Sequence, residues 1–96
     1  MAEPHRAGAR DMATKYVWWK DPDEALRDQA HFLSMMMTYG TLADTQWMLE
    51  HFPKDALIEA LRHAPPGVFN GRSWHFWHLR LGIHPVGELP RRRLPQ

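Results

Sequence analysis

The tract from Asn70 to Ile83, NGRSWHFWHLRLGI, constrains the fold of this chain more than any other. It holds two of the five tryptophans, a phenylalanine, two histidines and two arginines, and Gly82 near its end reads as a helix stop. A helix over residues 71–81 advances about 100° per residue, which puts Trp74, Trp77 and Leu81 on one stripe. Phe76 and Leu79 fall on nearly the opposite side, with Arg72, His75 and Arg80 on the flanks between. A helix that is apolar on two sides is buried on both, or buried on one and kept for a partner on the other. The tract therefore points to binding rather than to chemistry.

Ninety-six residues suit one domain with one modest core, which 44% hydrophobic residues, five Trp and four Phe can fill. A domain this small is marginal and gains stability from a partner or a second copy. The absence of cysteine excludes disulfides and thiolate metal sites. No apolar run approaches the roughly 20 residues of a membrane span, and no signal-peptide pattern follows the N-terminus. The chain reads as soluble and cytoplasmic, with no membrane association. Its charge is uneven: residues 1–50 carry five Lys/Arg against eight Asp/Glu, and residues 51–96 carry seven against three. A basic surface is expected toward the C-terminal end.

Taken in order, residues 1–14 show no apolar period and read as a disordered tail. Residues 15–89 form the helical domain, and residues 90–96 a basic tail. Tyr16-Val17-Trp18-Trp19 reads as an extended arm whose aromatics dock on the helices. Asp21 caps a first helix, Pro22 to about Thr38, with Leu26, Ala30, Phe32, Leu33, Met36 and Met37 inward. Met35-Met36-Met37 reads as core filler, and Gly40 as a left-handed cap. Thr41 opens a second helix (42–52), with Asp44 in the capping-box position, Leu42, Leu49 and Phe52 on one face with Met48 beside it, and Ala43 and Trp47 on a neighbouring face. After Pro53 comes a third helix (54–63) with Leu57, Ala60 and Leu61 inward. Pro65-Pro66-Gly67 lies in a stiff linker, and Asn70 caps the fourth helix. The expected fold is all-α: about four helices, an extended aromatic arm and flexible tails.

Nothing along the chain assembles a catalytic or metal centre. His75 and His78 lie three apart on one helix, but zinc needs three or four converging ligands, and no HExxH pattern occurs. No GxSxG elbow or phosphate-binding glycine loop is present. The expectation is a protein with no catalytic residues, cofactor or metal. Nucleic acid is the stronger alternative. The helices over 42–52 and 54–63 have the spacing of a helix-turn-helix, and Lys54, Arg62 and the tail arginines Arg91, Arg92 and Arg93 supply positive charge. Asp55 and Glu59 on the same exposed face offset that attraction.

Three segments resemble a known family. Tyr39-Gly40-Thr41-Leu42-Ala43-Asp44-Thr45-Gln46-Trp47-Met48-Leu49 and Ser73-Trp74-His75-Phe76-Trp77-His78-Leu79-Arg80-Leu81-Gly82-Ile83, with Trp18-Trp19-Lys20-Asp21-Pro22 upstream, are similar to landmarks of a family of short, uncharacterised bacterial proteins. Members of that family look like antitoxin-side partners of abortive-infection nucleotidyltransferase toxins. The resemblance spans residues 18–83. It implies an antitoxin-like, non-enzymatic interaction protein that binds a nucleotidyltransferase-type toxin or similar partner. The partner-contact face would centre on Phe76 and Leu79, rimmed by Arg72, His75 and Arg80, the composition of an apolar hot spot with an arginine edge. The alternative is a small DNA-binding regulator acting as a homodimer.

Overall fold

Side-chain caps and glycines set the helix boundaries in the computed structural model, which describes residues 4–90, with side chains from residue 8. The order is α1 (Pro4–Tyr16), α2 (Pro22–Arg27), α3 (Gln29–Tyr39), α4 (Leu42–His51), α5 (Lys54–Arg62) and α6 (Gly71–Leu81). No strand occurs among the described residues. The fold is all-α, as expected, with six helices among the described residues in place of about four.

The expected first helix is two. Asp21 caps α2 by accepting from the Asp23 N–H, and Asp28 caps α3 by accepting from the His31 N–H at 3.3 Å. An aspartate within a helical pattern competes for backbone N–H groups, and here it restarts the helix. The N-terminal tail is also corrected where the structure describes it. Residues 4–16 form α1, whose small side chains Ala9 and Ala13 are 5% and 0% exposed. Two alanines and Gly8 allow α1 to lie close to its neighbours. A Cβ built on Gly8 would stand 2.8 Å from the Trp47 ring. An apolar stripe made of small residues escapes a search for large ones.

The expected arm is instead the end of α1 followed by a turn. Val17 N–H continues the α1 pattern to Ala13 O at 2.8 Å, and Lys20 N–H bonds Val17 O at 3.2 Å. Tyr16 and Val17 are buried, whereas Trp18 and Trp19 remain 75% and 49% exposed, so only half of the run docks.

The central helix is α3, which packs against each of α1, α2, α4, α5 and α6. Phe32, Leu33, Met36 and Met37 are buried along it, so Met36 and Met37 serve as core filler. Leu57, Ala60 and Leu61 of α5 complete that layer. Gly40 is not a left-handed cap: its φ is −64°. It is required because a Cβ there would stand 2.5 Å from Met36 O, so close approach, not handedness, selects glycine.

Thr41 caps α4 by accepting from the Asp44 N–H at 3.1 Å. Asp44 does not reach back as a capping box would. The Thr41 N–H instead donates to the Tyr16 hydroxyl at 3.2 Å, and that hydroxyl donates to Asp44 Oδ2 at 2.5 Å. Lys15 Nζ donates to the same oxygen at 2.6 Å. This network ties α1 to the start of α4 and turns Asp44 inward. The buried side of α4 consequently centres on Met48, and Leu42, which periodicity groups with Leu49 and Phe52, is 87% exposed. An apolar count cannot see an aspartate that is half-buried because it is paired.

Candidate functional site

Both ends of α6 are fixed by local chemistry. Asn70 Oδ1 accepts from the Ser73 N–H at 2.8 Å and Ser73 Oγ accepts from the Asn70 N–H at 3.2 Å, a reciprocal capping box. At the other end Gly82 takes φ 73°, with Gly82 N–H on Leu79 O and Ile83 N–H on His78 O, a Schellman closure.

The inner face is sealed. Trp74, Trp77 and Leu81 are 6%, 2% and 4% exposed. Trp77 Nε1 donates to Met37 O at 2.8 Å, and Trp74 Nε1 donates to Gly87 O at 2.8 Å, which pins the chain after α6 back onto the helix. His78 is buried on this face as well. Its Nδ1 lies 2.7 Å from Trp74 O, so Nδ1 carries the proton, because a carbonyl oxygen only accepts. His75 is exposed on the other side. Among the described residues no group of three or more His, Cys, Asp or Glu is placed to hold a metal ion.

The outer face is open. Phe76 and Leu79 are 52% and 61% exposed, and Arg72, His75 and Arg80 are exposed around them. All five residues named from the sequence thus share the solvent side of one helix. Beside them lies a groove of ≈ 400 Å³ that the sequence did not reveal. Met37, Leu42, Phe76 and Trp77 give it apolar walls, Arg72 and Thr45 are among its polar lining, and no carboxylate lines it. Neither Arg72 nor Arg80 forms an ion pair among the described residues, whereas Arg10, Lys15 and Arg62 do. The missed member is Leu42. Its signal was position, the first residue after a capping threonine on a helix whose inward side is set by Asp44 and Met48.

Of the nucleic-acid candidates, the structure describes Lys54 and Arg62. Lys54 and Arg62 sit at opposite ends of α5, with Glu59 between them. Arg62 Nη1 is 3.0 Å from Glu59 Oε1, and His63 Nε2 is 3.2 Å from Glu59 Oε2. The face of α5 is therefore internally compensated. Arg91, Arg92 and Arg93 lie outside the described residues.

A second exposed aromatic feature sits between α1 and α2. Trp18 and Trp19 meet edge to face at 5.7 Å, and Trp19 meets the His31 ring at 5.9 Å. Burial, and secondarily Lys20, holds the His31 imidazole below its ordinary pKa, and its buried Nδ1 has no hydrogen-bond partner. No helix among the described residues is long and apolar enough to cross a membrane. Comparison with protein-family models, curated proteins and solved structures finds no match.

Proposed function

We propose that this chain is a non-enzymatic, antitoxin-like interaction domain that holds a protein partner on the outer face of α6. One observation carries the reading. Phe76 and Leu79 stand 52% and 61% exposed on the helix whose other side supplies the two core tryptophans, Trp74 and Trp77. A small domain that leaves neighbouring large apolar side chains in water has a surface suited to be covered. Arg72, His75 and Arg80 around that centre match the rim composition of protein interfaces. The likeness of residues 18–22, 39–49 and 73–83 to antitoxin-side proteins supports a nucleotidyltransferase-type toxin as the partner, met in a bacterial cytoplasm. The reading calls for no cofactor, metal or catalytic residue.

The test is calorimetric titration of the full chain with a purified nucleotidyltransferase-type toxin. Binding is expected to weaken by more than about tenfold for the Phe76→Ser, Leu79→Ser double variant, while the far-ultraviolet circular dichroism stays helical. Unchanged affinity would remove the reading. Tight binding of random duplex DNA that falls steeply with salt would replace it with a homodimeric regulator using Lys54 and Arg62.

A further inference from the structure

Arg72, Phe76 and Arg80 follow one another at i, i+4 and i+8, so they form a single row on the exposed side of α6. The two arginines are about 12 Å apart along the axis, which is the span of about four residues of extended chain. At the Arg72 end, the groove between α3, α4 and α6 opens next to Phe76. We propose that this groove seats one large apolar side chain of an acidic peptide segment, whose carboxylates on either side of that anchor engage Arg72 and Arg80. The proposal rests on the interaction-domain reading and adds the chemistry of the occupant.

Size and lining select the anchor. A volume of ≈ 400 Å³ falls in the range of roughly 300–1,000 Å³ typical of small-ligand pockets, enough for a large side chain but not for a length of helix. The floor is made by Met37 and Trp77, which are 5% and 2% exposed, so its walls are held in place by the core. Leu42 at the mouth is 87% exposed and contributes almost nothing to that core. Its exposure is useful only if something covers it.

Charge selects the flanks. Arg72 lines the groove, no carboxylate does, and both arginines lack an ion-pair partner among the described residues. The acid on the first turn of α4, Asp44, is committed to Lys15 and Tyr16. A guanidinium presents paired N–H donors that match a carboxylate two to two, and a lysine-flanked or uncharged segment would leave them unused. The chemistry is therefore an aromatic or leucine side chain bracketed by Asp or Glu.

Selection of a displayed library of random short peptides on the immobilised full chain tests this directly. Enriched sequences are expected to carry Trp, Phe or Leu with acidic residues on both sides. A synthetic peptide of the enriched sequence should lose about tenfold in affinity, by fluorescence anisotropy, on the Arg72→Glu, Arg80→Glu double change. It should lose binding altogether on Leu42→Ser with Phe76→Ser, while circular dichroism confirms that each variant is folded. Enrichment of basic or uncharged sequences, or no enrichment, overturns the proposal. Sedimentation showing a stable dimer that Leu42→Ser dissolves overturns it too, because a second copy would then fill the groove. The two levels separate cleanly. A nucleotidyltransferase partner that needs Phe76 but ignores Arg72→Glu and added salt ends the acidic-segment proposal alone. One that ignores Phe76→Ser ends the reading beneath it.

Discussion

The two faces of α6 carry side chains of the same kinds, yet one is sealed and the other open. The inner face holds two tryptophans and a leucine, and the outer face a phenylalanine and a leucine. Hydrophobicity alone does not separate them. Polar satisfaction does. On the inner face Trp74 Nε1, Trp77 Nε1, Ser73 Oγ and His78 Nδ1 each find a partner within the chain. On the outer face the arginines find no carboxylate among the described residues. A surface whose polar groups are already paired is finished, and one whose charged groups are unpaired beside exposed apolar atoms is prepared for something else.

The largest effect is expected from breaking the sealed face. Trp77→Ala removes a side chain that is 2% exposed and orphans the bond to Met37 O. Such truncations cost about 3–5 kcal/mol, against a total stability of about 5–15 kcal/mol for a domain. Urea unfolding should show a sharply lower midpoint or no cooperative transition. A midpoint near that of the parent chain would mean that the inner face of α6 is not part of the core.

Gly40→Ala comes next and tests the frame on which the open face is built. Gly40 lines the groove at the junction of α3 and α4. With φ at −64°, alanine meets no backbone penalty, and fewer unfolded conformations would by themselves favour it by about 0.4–1 kcal/mol. The new methyl, however, would stand 2.5 Å from Met36 O, a backbone atom that cannot rotate away. The clash is expected to win, at a net cost of about 1–3 kcal/mol in thermal unfolding. A stabilised variant would show that the junction yields.

These cases also mark what the sequence could tell. The 71–81 helix, its Asn70 cap, its Gly82 stop and the split of its side chains between inside and outside were legible, because each rests on neighbours within about two turns. The inward residues of α5 were legible by the same periodicity. Helix α1 was not, since its buried stripe is made of alanines and its close approach runs through Gly8 against Trp47. The rotation of α4, and with it the groove, was hidden for another reason. It depends on Asp44 meeting Tyr16 and Lys15, residues 28 and 29 positions away, and no local pattern encodes a pairing at that distance.

That pairing gives a smaller, pH-dependent effect. Hydrogen bonds from Lys15 and then from Tyr16 hold Asp44 below its ordinary value of 3.8. Its contribution is therefore complete above that value and is lost as the pH falls through the depressed one. Lys15 is raised, chiefly by its bond to Asp44, and Tyr16 is raised, chiefly by burial. Their contribution is present below their ordinary values of 10.5 and 10.0 and is lost as the pH climbs through the raised ones. Asp44→Ala should cost about 1–2 kcal/mol at neutral pH and should flatten the decline in stability below about pH 4. An acid profile identical to that of the parent chain would show that the network does not hold α4 in place.

The smallest change in stability is expected where the change in binding is greatest. Phe76 and Leu79 already keep more than half of their surface in water, so replacing both by serine removes little that folding buries. The double variant should unfold within about 1 kcal/mol of the parent chain in urea. The denaturant slope should be unchanged, because the slope follows the surface newly exposed on unfolding. Trp77→Ala and the double variant thus form a matched pair on one helix, one losing the fold and the other only its partner. If the serine variant instead unfolds as easily as Trp77→Ala, the two faces are equally structural. The contrast between a finished and an unfinished surface would then collapse, and with it the reason for assigning the outer face to a partner.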